Sequence, residues 1–111
     1  MTDRLASHML VSQLIRRVQA AGGFATVLRK GDPISGMILI QALEKGEETG
    51  LFERIGGLDN KAELVPAGKA HWGNKDEMAQ YIARRVRSDP DIWIVELDIP
   101  EAERFAGETL A

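Results

Sequence analysis

The sequence predicts an α+β fold: a mainly antiparallel five-stranded sheet with two helices on one face, in the order α-β-β-β-β-α-β-α. Three observations support this. A helical stripe opens the chain, four short strand patterns follow at close spacing, and a second helical stripe precedes one last strand. With 111 residues the chain suits one hydrophobic core and not two, so residues 1–111 are expected to form a single α+β domain.

The first helix is indicated by apolar residues that recur at helical spacing on one face: Val11, Leu14, Val18 and Ala21. Thr2 or Asp3 is the expected N-cap. Gly22 and Gly23 are expected to end the helix, because glycine tolerates the left-handed conformation just beyond a helix terminus.

Four strands are expected next, at residues 24–30, 37–44, 51–55 and 62–66. Their connections are too short for a parallel return, so we predict a four-stranded antiparallel meander. The segment from Gly31 to Gly36 between the first two strands is interpreted as a turn that reverses the chain. It is not expected to bind phosphate, because a strand rather than a helix follows it and Pro33 removes a backbone donor.

The second helix is expected to begin after Asn74, with Glu77 placed three residues later as in a capping box. Pro90 ends it, since a residue before proline avoids helical geometry. The last strand, 91–99, is the most apolar, and a short helix at 100–107 follows. Because the meander fills the other four places, this strand is expected at an edge of the sheet.

An apolar edge strand leaves backbone groups unpaired and invites another chain. We therefore predict a homo-oligomer, with a two-fold dimer as the commonest arrangement, and an unidentified protein partner as a further option. In the competing interpretation the terminal helix folds back and shields the strand through Phe105.

The composition excludes several chemistries. The chain has no cysteine, which excludes disulfides, thiolate catalysis and cysteine-ligated metals. Two histidines leave little material for a histidine-rich metal centre, so neither a metal nor a cofactor is expected. Glu96 and Asp98 share one face of the last strand as an acid/base or metal pair would, but carboxylates at a strand end more often face solvent.

The formal charge of −3 gives no global attraction to nucleic acid or to anionic lipid. The apolar runs are far shorter than the roughly 20 residues that cross a bilayer, so no membrane association is expected. The first ten residues carry Asp3 and no long apolar core, which predicts a cytoplasmic location.

Arg84, Arg85 and Arg87 at the end of the second helix are a candidate anion-binding cluster. The alternative is that cations at a helix C-terminus complement its dipole. The meander also places Arg16 and Arg17 at the edge of the sheet that carries the acidic turn around Glu44. It places the arginines of the second helix at the opposite edge, beside the turn that carries Asp32. No specific nucleic-acid binding is therefore expected, since a binding footprint is a patch of one sign.

The loop before the second helix holds the candidate ligand-binding residues His71, Trp72 and Asn74. Histidine titrates near neutrality, tryptophan stacks on rings, and the following helix N-terminus favours an anion. The alternative is that Trp72 anchors the loop to the sheet and His71 is its solvated neighbour.

The stretches "RLASHMLVSQLIRRVQAAGGFATVLRKGD", "LFERIGG" and "DPDIWIVELDIPEAERF" together resemble a small bacterial family, domain of unknown function 1491. The resemblance extends over nearly the full chain. It implies a cytoplasmic bacterial protein and carries no assigned activity or site residues.

No nucleophile–base pair, metal set or cofactor motif can be assembled from the residues. The sequence therefore favours a small cytoplasmic protein that acts as a non-catalytic interaction or accessory domain rather than as an enzyme. The alternative is a small-molecule or nucleotide-binding protein, with an enzyme among the options, that uses the loop around His71 and Trp72.

Overall fold

The computed structural model describes residues 5–56 and 62–111. Three α-helices, five strands and one short 3-10 turn make up the described chain: α1 (Ser7–Ala20), β1 (Phe24–Arg29), β2 (Ile38–Glu44), β3 (Glu47–Gly56), β4 (Ala62–Pro66), the 3-10 turn Lys69–His71, α2 (Lys75–Ser88), β5 (Trp93–Asp98) and α3 (Ala102–Leu110). The predicted class and element order are confirmed.

The sheet order is β1-β5-β2-β3-β4, with β5 inserted between the first two strands. β5 pairs antiparallel with β1 and parallel with β2, so the sheet has one parallel pair. The predicted antiparallel meander is confirmed for β2, β3 and β4. The predicted pairing of β1 with β2 and the expected edge position of β5 are wrong. The physical reason is burial: a strand this apolar is most stable where both faces are covered and both edges are paired.

Helices cover both faces of the sheet. α1 and α3 pack on one face, against alternate residues of the two central strands, including Ile40 and Val95. α2 packs on the other face, where Met78 joins Leu39 and Ile94 in a second cluster. Two helices therefore share a face, but they are α1 and the short terminal helix α3, and the two long helices α1 and α2 lie on opposite faces. This arrangement buries β5 on both sides, with Val95 and Leu97 fully inaccessible.

The β2–β3 connection is tighter than expected, because β3 already begins at Glu47. Lys45 and Gly46 both adopt positive φ angles, 53° and 82°, as a two-residue hairpin turn requires. The Asp98 carboxylate accepts hydrogen bonds from both of their backbone N–H groups, each at 2.9 Å. This fixes the hairpin against the end of β5 and gives Asp98 a structural role.

The segment from Gly31 to Gly36 joins two strands that are not neighbours, and passes the start of β5 on its way. It reverses the chain, as expected, but it is not a hairpin. The backbone N–H groups of Ser7 and His8 donate to its carbonyls, at 3.1 and 2.9 Å, so the segment caps the start of α1. Thr2 and Asp3, the expected caps, lie outside the described residues.

Close backbone approach explains the glycines of this segment. A Cβ built on Gly31 or Gly36 would overlap the carbonyl oxygen of Asp91. Asp32 holds the turn between them, because its Oδ2 accepts from the N–H groups of Ile34 and Ser35 at 3.1 and 2.8 Å. The segment therefore connects β1 to β2 and packs against both the start of α1 and the backbone that precedes β5.

We expect Gly36→Ala to lower the free energy of unfolding by about 1–3 kcal/mol, the usual cost of forcing atoms into a packed region. Urea unfolding measures the change. Gly107→Ala is the matched control: nothing lies within 4 Å of its Cβ position, so it should stabilise α3 by about 0.5–1 kcal/mol. Equal effects of the two substitutions would contradict the packing argument.

The hydrogen bonds from Ser35 and Ile34 lower the pKa of Asp32 below its ordinary value. A lowered pKa in the folded state means that the carboxylate stabilises the protein above its unfolded pKa, and that this stability is lost as the pH falls through the folded pKa. We expect Asp32→Asn to be less stable than the parent at neutral pH and equally stable in acid. Unfolding measured across that acidic range tests this, and parallel pH profiles would contradict it.

Candidate functional site

The Trp72 side chain packs against the sheet. Its indole N–H donates to the carbonyl oxygen of Ala67 at 2.9 Å. Its ring meets that of Phe52 edge to face, with the centroids 5.4 Å apart. The side chain contacts both core clusters, so it closes the loop over the sheet. These contacts fit the anchor interpretation.

His71 lies at the outer surface of the same loop. Its Nδ1 is 3.0 Å from Oε1 of Glu77, and its ring centroid is 5.6 Å from that of Tyr81. The His71 side chain remains 29% exposed. The carboxylate that contacts the His71 ring belongs to the capping box of α2.

Asn74 caps α2 as the sequence predicted. Its Oδ1 accepts from the backbone N–H of Glu77 at 3.0 Å, and its Nδ2 donates to Oε2 of the same residue at 3.1 Å. Asp76 and Glu77 place two carboxylates in the first helical turn. The structure therefore brings His71 and Asn74 together at Glu77, whereas the Trp72 side chain packs toward the sheet. The positive end of α2 already lies next to the acidic side chains of its own first turn.

The arginines of α2 separate into different environments. Arg85 forms two hydrogen bonds with the Glu53 carboxylate, at 2.8 and 3.4 Å, and donates to the Tyr81 hydroxyl at 2.9 Å. The hydrogen bond with Glu53 is the largest cause that raises the pKa of Arg85. Arg84 lies 5.9 Å from the centre of the Tyr81 ring, and Arg87 is exposed. The three do not converge on one point.

Arg17, in the other basic pair, contacts α3. It pairs with Glu108 at 2.8 Å and donates to the Thr109 hydroxyl at 2.7 Å. These partners differ from the acidic turns that the meander placed nearby, because the terminal helix and β3 supply the carboxylates instead. In the described residues, no group of three or more His, Cys, Asp or Glu side chains could hold a metal ion.

An open depression of about 510 Å³ lies between α3 and β4. Leu64, Glu101 and Arg104 are among the residues that line it. Arg104 already pairs with Glu101 at 3.3 Å and lies 5.4 Å from the Phe105 ring centre. The arginine of this lining is therefore already paired, and Glu103 adds a second acidic side chain.

Sequence reasoning missed the edge formed by β1. Phe24 is 74% exposed, Leu28 50% and Val27 38%, while Thr26 is also exposed. Such side chains are ordinary singly, but here they follow one another along a strand at the edge of a sheet. The apolar run was visible in the sequence. Its exposure depends on which strand lies beside it.

Hydrogen bonding along β5 shows which backbone groups of β1 face outward. The N–H groups of Trp93 and Ile99 donate to carbonyls at β2, at 2.7 and 3.1 Å. Backbone direction alternates along a strand, so Glu96 and Asp98 direct their backbone groups toward β1. They oppose Thr26 and Phe24 there.

Ala25 and Val27 therefore direct their N–H and C=O groups away from the sheet. No described strand pairs with this side of β1. The register shift between Val27 and Arg29 is a bulge at Leu28, so the regular pairing of β1 ends after Val27. The free edge is thus a short segment, residues 24–28, with no charged side chain. We name it the β1 edge.

In the described chain, no helix combines the length and the apolar character that a membrane crossing requires. Residues 5–107 match the family model described as protein of unknown function, DUF1491. A comparison with curated proteins finds no match.

Solved structures from two bacteria are similar to this chain. A crystal structure of a DUF1491 family protein from Caulobacter crescentus is 34% identical, with a TM-score of 0.76, and the match covers 92% of this chain and 94% of that one. An NMR structure of a DUF1491 family protein from the same organism is 32% identical, with a TM-score of 0.76 and 94% coverage of both chains. A solution structure of a protein from A. tumefaciens is 34% identical, with a TM-score of 0.69 and 87% coverage of both.

If Trp72 is an anchor, Trp72→Ala should lower the free energy of unfolding by about 2–4 kcal/mol, a little below the cost for a fully buried tryptophan. His71→Ala is the neighbouring control and should lower it by at most about 1 kcal/mol, since it removes a partly exposed contact with Glu77. Chemical denaturation without any ligand measures both. An unfolding curve for Trp72→Ala that matches the parent would instead favour a ligand site.

Proposed function

Because the chain belongs to the DUF1491 family, whose function is unknown, we propose its function from its own surfaces: it is a non-catalytic interaction domain that binds a polypeptide along the β1 edge. The observation that carries the proposal is the exposure of this edge, with the backbone groups of Ala25 and Val27 unpaired and the apolar side chains beside them open to solvent.

Strand addition suits this edge. An added strand gains affinity from main-chain hydrogen bonds and specificity from the alternate side chains that it meets. The β1 edge offers outward donors and acceptors at Ala25 and Val27, flanked by Phe24 and Leu28. Burying exposed apolar surface contributes about 25 cal/mol per Å², which supplements the hydrogen bonds.

The other edge of the sheet differs in character. β4 carries the exposed residues Glu63 and Pro66, and charge and proline both discourage strand addition. Residues 24–28 have neither feature, although the bulge after Val27 limits the length of a possible pairing. The contrast favours β1 as the binding edge.

The small-molecule alternative has less support. A ring ligand at the loop before α2 would need the face of Trp72, and that side chain contacts Phe52 and both core clusters. His71, Asn74 and Glu77 already bond with one another. The cytoplasmic location expected from the sequence stays a prediction.

A photoreactive amino acid introduced at Thr26 tests the proposal in cells. We expect illumination to give a covalent adduct with a polypeptide, because a strand added to β1 would lie within bond-forming distance of that side chain. The control is the same residue at Thr49, which is also exposed but lies on β3 at the register shift with β2, away from the β1 edge. The absence of any adduct at position 26, or adducts of equal yield at both positions, would contradict the proposal.

A further inference from the structure

We propose that the strand added to the β1 edge is β1 of a second copy of this chain, paired antiparallel about a two-fold axis at Thr26. The inference rests on the proposed function, since it names the partner for the same edge. It differs from the dimer predicted from the sequence, which placed the last strand at the exposed edge. β5 has a neighbour on each side, and the exposed edge belongs to β1.

The backbone pattern selects the register. Hydrogen bonds across the new pair require residues whose groups face outward, which are Ala25 and Val27. Placing Ala25 of one copy opposite Val27 of the other satisfies this requirement twice, once on each side of the axis. Thr26 of one copy then lies opposite Thr26 of the other as a non-hydrogen-bonded pair, and Phe24 of each copy lies across from Leu28 of the other. The sheet continues through both copies.

The side chains are compatible with this self-pairing. A threonine pair is among the favourable cross-strand neighbours. Phe24 and Leu28, exposed at 74% and 50% in the single chain, would cover each other at both ends of the contact. The segment contains no charge, so the axis brings no like charges together. The new antiparallel pair is therefore formed by the most exposed apolar part of β1.

Charge complementarity also favours a second copy. Arg29 and Lys30 follow the apolar segment at one end of β1. Arg29 donates to the Pro90 carbonyl at 2.9 Å, and neither side chain has a carboxylate within ion-pairing distance among the described residues. At the other end, the Asp98 carboxylate lies next to Phe24 and binds backbone N–H groups. Antiparallel pairing brings the basic end of each copy to the acidic end of the other.

The charged ends that would meet in the antiparallel pair lie on the same face of the sheet. Arg29 opposes Ile94 in the β5 pairing and Asp98 lies four residues further along β5, so both side chains point to the same face of the sheet. A parallel arrangement would instead place the basic ends together, which like-charge repulsion opposes.

Sedimentation and a single introduced thiol test the inference on the purified chain. We expect the parent protein to sediment at micromolar concentration with twice the 12.2 kDa of one chain. The chain has no cysteine, so Thr26→Cys carries one thiol. Cα atoms of a non-hydrogen-bonded antiparallel pair are about 4.5 Å apart, within the range that a disulfide spans. Mild oxidation should therefore link two copies fully.

Thr49→Cys is the control for random collision and should remain largely unlinked. Thr26→Lys should shift the sedimentation to one chain, because it sets two ammonium groups opposite each other at the axis. When both proteins are measured at a concentration low enough to keep them monomeric, it should leave the unfolding free energy within about 0.5 kcal/mol of the parent, since Thr26 is exposed and its neighbour across the strands is Glu96. Loss of dimer without loss of stability locates the contact at β1.

A single chain at every concentration, or a dimer in which Thr26→Cys fails to link, overturns the inference. The proposed function is tested separately by the photoreactive probe. An adduct of position 26 with a different polypeptide, together with a monomeric purified chain, rejects the second copy and retains an interaction edge. No adduct and no dimer reject both.

Discussion

The burial of β5 on both faces and along both edges is the constraint on which the rest of this structure depends. Val95 and Leu97 are inaccessible to solvent, and the strand pairs with β1 on one side and β2 on the other. Paired edges satisfy its backbone groups, and layers on both faces cover its alternating side chains. The positions of α1 and α3 on one face and α2 on the other follow from this requirement.

The central position of β5 also explains the joint between β1 and β2. A connection between separated strands must pass the strand that lies between them, and here it passes at the backbone of Asp91. Gly31 and Gly36 permit that approach because they have no Cβ. The carbonyls of the same segment cap α1, and the Asp32 carbonyl accepts from the indole N–H of Trp93 at 2.7 Å. A glycine-containing segment that could be mistaken for a phosphate loop therefore holds α1 and β5 in place.

The polar side chains of the candidate sites are already bonded to one another, and this decides the functional interpretation. Asn74 and Glu77 satisfy each other at the start of α2, and Arg85 bonds with Glu53 and Tyr81. Side chains engaged in this way hold the fold together, and a ligand would first have to displace their partners. The β1 edge differs because what it leaves unpaired is main chain next to apolar side chains, which is the chemistry of strand pairing rather than of catalysis.

Local patterns determined much of this protein. Periodicity identified both long helices, Asn74 and Glu77 marked the start of α2, and the strand at 62–66 agrees with β4. These features depend on interactions within a few residues, which a sequence displays directly. Strand order was decided only by tertiary structure. The choice between pairing β1 with β2 and inserting β5 depends on how much apolar surface each arrangement buries, a sum over residues far apart in the chain. For the same reason, the exposure of Phe24 and Leu28 could not be read from their own segment, because the neighbours of β1 lie some seventy residues away, in β5.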